Sequence, residues 1–198
     1  MPTGVTLHDA RERLFDAAER VLLRDGPSAL TSRAVTAEAD CAKGVLHRHF
    51  ADFDTFLAEL VLDRIGDIEQ QADLLRSTAG TGTVAGNLAD ALTVLFDALG
   101  REILALVTSR HELLARLRPS TPTGIPILNQ GTAMIAAYLA AEQKLGRVGA
   151  DADIDTLAPT LVGTGHMLLA GRQAGAPDPE AIRTAVASVI SAQMTAGG

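Results

Sequence analysis

Leu30-Thr31-Ser32-Arg33-Ala34-Val35-Thr36-Ala37-Glu38-Ala39-Asp40-Cys41-Ala42-Lys43-Gly44-Val45-Leu46-His47-Arg48-His49-Phe50-Ala51-Asp52-Phe53-Asp54-Thr55-Phe56 is the stretch that decides the fold. It reads as two short helices and the start of a third. Thr31 can cap the first, because its hydroxyl can accept one of the backbone N–H groups that a helix start leaves unpaired. Val35 and Ala39, four apart, fall on one face. Asp40 stands at the expected tight turn, and Asp tolerates the left-handed backbone that such turns often need. The second helix has Leu46 and Phe50 as its buried side. Ala42, Lys43, Gly44, Val45, His47, Arg48 and His49 occupy its start and its other sides. A short helix anchored by two apolar residues and studded with cationic or near-cationic groups suits the major groove of DNA.

Each of these positions has an expected part. Lys43 and Arg48 can meet phosphates or guanine edges, a solvated helix face being the plainer alternative. Gly44 lets the backbone approach a duplex closely, and Val45 can touch a thymine methyl. Thr31, Ser32 and Arg33 begin the first short helix, whose free N–H groups suit phosphate. His47 and His49, two apart on a helix, do not face each other, which argues against a shared metal. Beside phosphates the anion favours their charged forms, so DNA affinity is expected to weaken as pH rises from about 6 to 8.

Around that stretch the pattern is helical throughout. An amphipathic helix from about His8 to Arg24 buries Leu14, Phe15, Ala18, Val21 and Leu22, and Gly26-Pro27 stops it. Asp52 is placed to cap a long helix reaching about Arg76. The chain has 198 residues, 47% of them hydrophobic but only 3% aromatic, with no Trp. Ala and Leu must therefore supply most of the packing, which favours close-packed helices over a sheet. Formal net charge is −7, yet residues 1–50 hold seven Lys/Arg against seven Asp/Glu, so the excess lies entirely in the remainder. Affinity for DNA depends on the face presented, and an acidic body discourages non-specific wrapping. Cys41 is the only cysteine. It can form no internal disulfide and is expected to pack in the turn rather than react. No stretch approaches the length of a membrane span and no secretory signal precedes the first helix, so a cytoplasmic location is expected.

At these residues the chain resembles the TetR family of bacterial one-component transcriptional repressors. The likeness lies in Arg24-Asp25-Gly26 closing the first helix, in Ala29-Leu30-Thr31 after it, in Lys43-Gly44-Val45-Leu46-His47-Arg48-His49-Phe50 as the recognition helix, and in Ala51-Asp52-Phe53-Asp54-Thr55-Phe56-Leu57 opening the fourth. It covers roughly residues 10 to 62; beyond that only length and helical pattern agree. Four positions depart from the family. Asp40 stands where Gly is usual. Ala42 replaces a Ser or Thr cap, a loss of ~1 kcal/mol. His47 replaces a phosphate-contacting Tyr, and Phe53 replaces a common Lys.

The resemblance implies an all-α fold: a three-helix helix-turn-helix domain (residues 1–51) joined by a long fourth helix to a helical effector-binding and dimerisation domain (residues 52–198). It implies a small-molecule pocket in the body, for which Leu92, Phe96, Leu99, Ile103, Leu113, Met134, Tyr138, His166 and Met167 are candidate linings, with Thr108, Asn129 and Gln130 able to orient a moderately apolar effector. Gly163, Gly165, Ala170 and Gly171 permit close helix approach, and Ile182, Val186, Val189 and Ile190 make an apolar stripe. The last two helices are thus the expected dimer interface, a four-helix bundle across a twofold axis in the family. A symmetric dimer calls for a palindromic operator with half-sites on successive major grooves.

The rest of the body reads as a helix from Val84 to about Leu117 with a break near Gly100 or Thr108-Ser109, another from about Ile127 to Leu145, one capped at or near Asp155, and a last one starting at Asp178-Pro179-Glu180. No catalytic constellation emerges. Gly80-Thr81-Gly82-Thr83-Val84-Ala85 fits a dinucleotide fingerprint formally, but Leu74-Leu75-Arg76 before it ends a helix where a strand is required. His111-Glu112 lacks the second zinc-ligand His, since Ala115 stands there. Neither enzyme activity nor a cofactor or metal is expected. The reading is therefore a homodimeric repressor, bound to double-stranded DNA and released by a small-molecule effector. An all-helical enzyme or carrier with a vestigial head, and a constitutive DNA-binding dimer with no effector, are the alternatives.

Overall fold

The computed structural model describes residues 7–42, 44–170 and 179–194. It is built of helices. α1 (Leu7–Asp25), α2 (Ser32–Glu38), α3 (Gly44–His49), α4 (Phe53–Ser77), α5 (Val84–Leu95), α6 (Ala98–Ser109), α7 (His111–Leu117), α8 (Leu128–Lys144), α9 (Ile154–Ala170) and α10 (Pro179–Ile190) follow in order, with short 3₁₀ turns at Pro27–Ala29 and Ser191–Gln193. The described residues form no strand, only an isolated bridge between Val148 and Met194.

Local chemistry explains several helix ends. Gly26 takes φ 78°, which only glycine adopts without penalty, and its N–H donates to Leu22 O at 2.9 Å to close α1. Thr31 Oγ1 accepts from Ala34 N at 3.1 Å, the expected cap of α2. Asp52 Oδ1 accepts from Thr55 N at 2.7 Å at the head of α4. Thr83 caps α5 through Gly86 N.

Two boundaries take a definite place within the expected ranges. The expected break near Gly100 lies at Phe96 and Asp97, with Gly100 buried inside α6; Phe96 leaves helical geometry while its ring is 1% exposed. The break after Thr108-Ser109 is present, where both hydroxyls donate back to α6 carbonyls at Leu104 and Leu106. The cap of α9, expected at or near Asp155, is Asp153: its carboxylate accepts from Thr156 N at 3.1 Å. Pro159 consequently lies inside the helix, past the first turn where a missing N–H is harmless.

The chain divides into two compact units. The first gathers residues up to Arg64 together with Ala98–Ile125, and the second gathers Ile65–Asp97 with residues from Pro126 onward. α4 contributes to both, and α6 and α7 belong with the helix-turn-helix. In the first unit Leu14, Leu22, Leu30, Leu46, Phe56 and Leu57 are each no more than 1% exposed. Phe15, Phe50 and Phe56 form an aromatic knot with ring centroids 5.0 to 5.9 Å apart. Arg11 lies over the Phe50 ring at 4.8 Å and pairs with Glu59. In the second unit α10 packs on α5 and α9, and α8 on α9.

Candidate nucleic-acid interface and body cavity

The helix-turn-helix is fixed from behind. Arg20 and Arg24 of α1 donate to Glu38 at 2.9 and 2.8 Å, and Arg13 donates to Ala39 O at 3.1 Å, so the end of α2 is held by three guanidinium groups. These donors hold the Glu38 carboxyl below its ordinary range, Arg20 first and then Arg24. The turn follows at Asp40, with φ 49° in the left-handed region. Cys41 is half-buried, and burial pushes its thiol up, so thiolate is scarce at neutral pH. Leu46 and Phe50 then sink into the core at 0% and 2% exposure.

What remains outside is the predicted face. Thr31, Arg33, Ala42, Gly44, His47 and Arg48 are exposed, and Ser32, Val45 and His49 are half-buried. Lys43 lies outside the described residues. A Cβ added at Gly44 would meet nothing within 4 Å, so packing within the chain gives no reason for glycine there. Phe53, in place of the family's common Lys, is half-buried and stacks on Phe56 at 5.6 Å.

Two arginines that sequence reading missed reach this unit from α6 and α7. Arg110, between those helices, donates to Leu30 O at 3.0 Å, one residue before the α2 cap. Arg116 donates to Asp52 Oδ2 at 2.8 Å and Thr55 Oγ1 at 3.0 Å, at the start of α4. The Asp52 carboxyl is held below its ordinary value, first by the Thr55 backbone N–H, then by the Thr55 hydroxyl, then by Arg116.

The second unit holds a cavity of about 310 Å³ between the end of α4, α5 and α8. Leu74, Leu75, Ala91, Val94 and Met134 give it apolar walls, and Gln71, Thr78, Asn87 and Asp90 its polar groups. Of the expected lining residues, Met134 is on this cavity. Tyr138 stands behind it: its hydroxyl accepts from Asn87 Nδ2 at 2.8 Å and donates to Glu142 Oε1 at 2.6 Å. Burial, then the Glu142 hydrogen bond, pushes the Tyr138 hydroxyl well above its ordinary range. Glu142 is 0% exposed and also takes Gly80 N at 3.3 Å and Arg147 Nη1 at 3.5 Å.

Other expected positions are spread through both units. Leu92 and Phe96 are buried core, with Phe96 against the His166 ring at 5.6 Å and His166 Nδ1 buried without a partner. Met167 is 78% exposed on α9. Gln130 Oε1 accepts from Ile127 N at the start of α8, where half-buried Asn129 also lies. In the first unit Ile103 and Leu113 are buried, Leu99 is half-buried and Thr108 is exposed. Along α9, Gly163 is exposed, whereas a Cβ on Gly165 would come within 3.2 Å of Leu92 and Phe96, so that glycine serves packing on α5. Ile182, Val186 and Ile190 are 1%, 1% and 2% exposed within the chain itself, and Val189 is half-buried. Gly171 and the Ala170 side chain lie outside the described residues. No helix among the described residues is long and apolar enough to cross a membrane.

Residues 14–60 match the family model for bacterial regulatory proteins of the tetR family. No curated protein matches the chain. Solved structures do. A protein of Mesorhizobium loti assigned to the TetR family superposes with TM-score 0.74 at 15% identity, covering 97% of this chain and 100% of its own. A TetR-family member of Streptomyces coelicolor A3 gives 0.64 at 24%, covering 92% and 98%. The multidrug binding protein EbrR, solved with malachite green, gives 0.64 at 23%, covering 91% and 97%. At these identities the structures speak for the fold alone, while the family model speaks for residues 14–60. An exposed cationic face on a braced helix-turn-helix, a tetR-family match over residues 14–60 and a fold shared over nearly the full length with solved TetR-family proteins give the chain a tetR-type head within a TetR-like fold.

Proposed function

We propose that the chain is a ligand-responsive transcriptional repressor that binds a palindromic operator as a homodimer in the cytoplasm and is released by a small molecule. The observation that carries the reading is the α2–α3 face: its inner side is sunk in the core, three arginines hold it from behind, and its outer side carries Arg33, Gly44, His47 and Arg48, all exposed among the described residues. Residues 1–51 read DNA, with Lys43 and Arg48 on phosphates or guanine edges. Residues 52–198 bind the effector and dimerise. The cavity is the effector site, since α4 lines it with Gln71, Leu74, Leu75 and Thr78 and belongs at its other end to the reading unit. A second copy pairs through α9 and α10, where Met167 leaves an apolar side chain uncovered.

Selection of bound sequences from a random DNA pool by the full chain tests this. A palindromic consensus is expected, with affinity falling steeply as salt rises. A monomeric protein that enriches no sequence at low ionic strength would sink the reading.

A further inference from the structure

The cavity has an unusual balance of polar groups. Asn87 has spent both amide hydrogens, on Thr81 O at 3.0 Å and on the Tyr138 hydroxyl at 2.8 Å. Thr78 has spent its hydroxyl hydrogen on Leu75 O at 2.7 Å, so it presents lone pairs only. Gln71 Oε1 is a buried acceptor with no partner. Asp90 adds a carboxylate at the rim, and Arg183 meets only its Oδ1, at 3.3 Å and in the open. Among the described residues no Lys, Arg or His lines the space. Apart from the Gln71 amide NH₂, the side chains there can only accept. Leu74 and Val94 are 67% and 45% exposed, aliphatic surface that an apolar guest would cover.

Acceptors without donors, a negative charge without a buried counter-charge, and apolar walls define a complement. We propose that the cavity takes an apolar molecule bearing one protonated amine, which donates to Gln71 Oε1 and is met electrostatically by Asp90. An alcohol would satisfy Gln71 but leave the charge of Asp90 unused. A carboxylate or phosphate would meet Asp90 as a like charge, and the one cation at the rim among the described residues, Arg183, already faces Asp90 in the open. The proposal rests on the cavity being the effector site and names the effector's chemical class.

Three naphthalenes that differ only in the polar group separate the possibilities: 1-naphthylmethylamine, 1-naphthalenemethanol and 1-naphthoate, titrated calorimetrically into the full chain at neutral pH. The amine is expected to saturate, the alcohol to bind about ten-fold more weakly, and the carboxylate not to bind. Gln71→Leu and Asp90→Asn should each weaken the amine about ten-fold, and Gln71→Lys should turn the preference toward the carboxylate. Both first variants leave every hydrogen bond described above intact except the exposed Asp90–Arg183 pair, and unchanged melting temperatures will confirm that they fold. Equal or tighter binding of the carboxylate or alcohol, an amine affinity untouched in both variants, or no saturation by the amine at about 1 mM would overturn the inference. Operator release is read separately. Amine binding without release supports the chemical class and sinks only the effector reading, whereas release of DNA by the carboxylate sinks the class and spares that reading.

Discussion

Asp40 and Gly44 are two residues whose exchange has signed consequences. Asp40 holds φ 49° where its Cβ is strained, and glycine removes that strain. Asp40→Gly should stabilise the chain by up to about 1 kcal/mol in thermal or urea unfolding, and it should also tighten DNA binding by deleting an exposed negative charge beside the reading helix. Gly44→Ala should act in opposite directions on the two readouts. Open space around its Cβ and better helix propensity predict a gain of up to about 1 kcal/mol in stability. If the backbone there approaches a duplex, operator affinity falls in the same variant; a stable variant with unchanged affinity would remove Gly44 from the contact set. At this scale the sequence was readable wherever the physics is local. The Thr31 cap, the left-handed Asp40 and the Asp52 cap each involve atoms within three residues. The Arg110–Leu30 and Arg116–Asp52 contacts span 80 and 64 residues, and no spacing rule announces them.

Among the elements, α4 is set at its start by Asp52, and this makes its anchoring sensitive to acid. The carboxyl of Asp52 titrates below its ordinary 3.8 because the Thr55 N–H, the Thr55 hydroxyl and Arg116 favour the charged form. A carboxyl whose value is lowered by folding contributes stability that is fully present above its unfolded value and is lost as pH falls through the lower, folded one. The melting temperature should therefore decline below about pH 4, and Asp52→Asn, which keeps a capping side chain, should flatten part of that decline. An unchanged slope in a pH series of melting curves would count against it. Helix order and type were legible from apolar periodicity, but the cavity was not. Leu92 and Phe96 fall on an apolar helical stripe and are core, whereas Leu74 on the cavity is 67% exposed and reads as an ordinary surface leucine. Periodicity tells which face is apolar; it cannot tell where two apolar faces fail to close. For the same reason the α10 stripe of Ile182, Val186 and Ile190, read as a surface for a partner, is occupied by the chain's own packing.

For the molecule as a whole, the proposed switch joins effector and operator through one free energy. A coupling of ~1–3 kcal/mol would lower operator occupancy roughly 5- to 150-fold, and linkage requires operator DNA to weaken effector binding by the same factor. Calorimetry of the effector with and without operator measures this, and equal affinities would eliminate the switch while leaving a DNA-binding dimer. The fold class was legible at this scale because a low aromatic content and unbroken helical patterning leave few other architectures.

The knot around Glu142 bears on what such a cavity can accept. Tyr138, Gly80 and Arg147 converge on that sunken carboxylate, while Arg147 also donates to Gly82 O at 2.7 Å and Asn87 to Thr81 O. The bend joining two of the three walls is therefore riveted to the third. A bulky visitor cannot prise them apart without stripping a buried charge of its donors. Selectivity by girth is thus built into the backbone, separate from any choice made by polar groups, and loosening the rivets should widen the guest list before it alters the favourite.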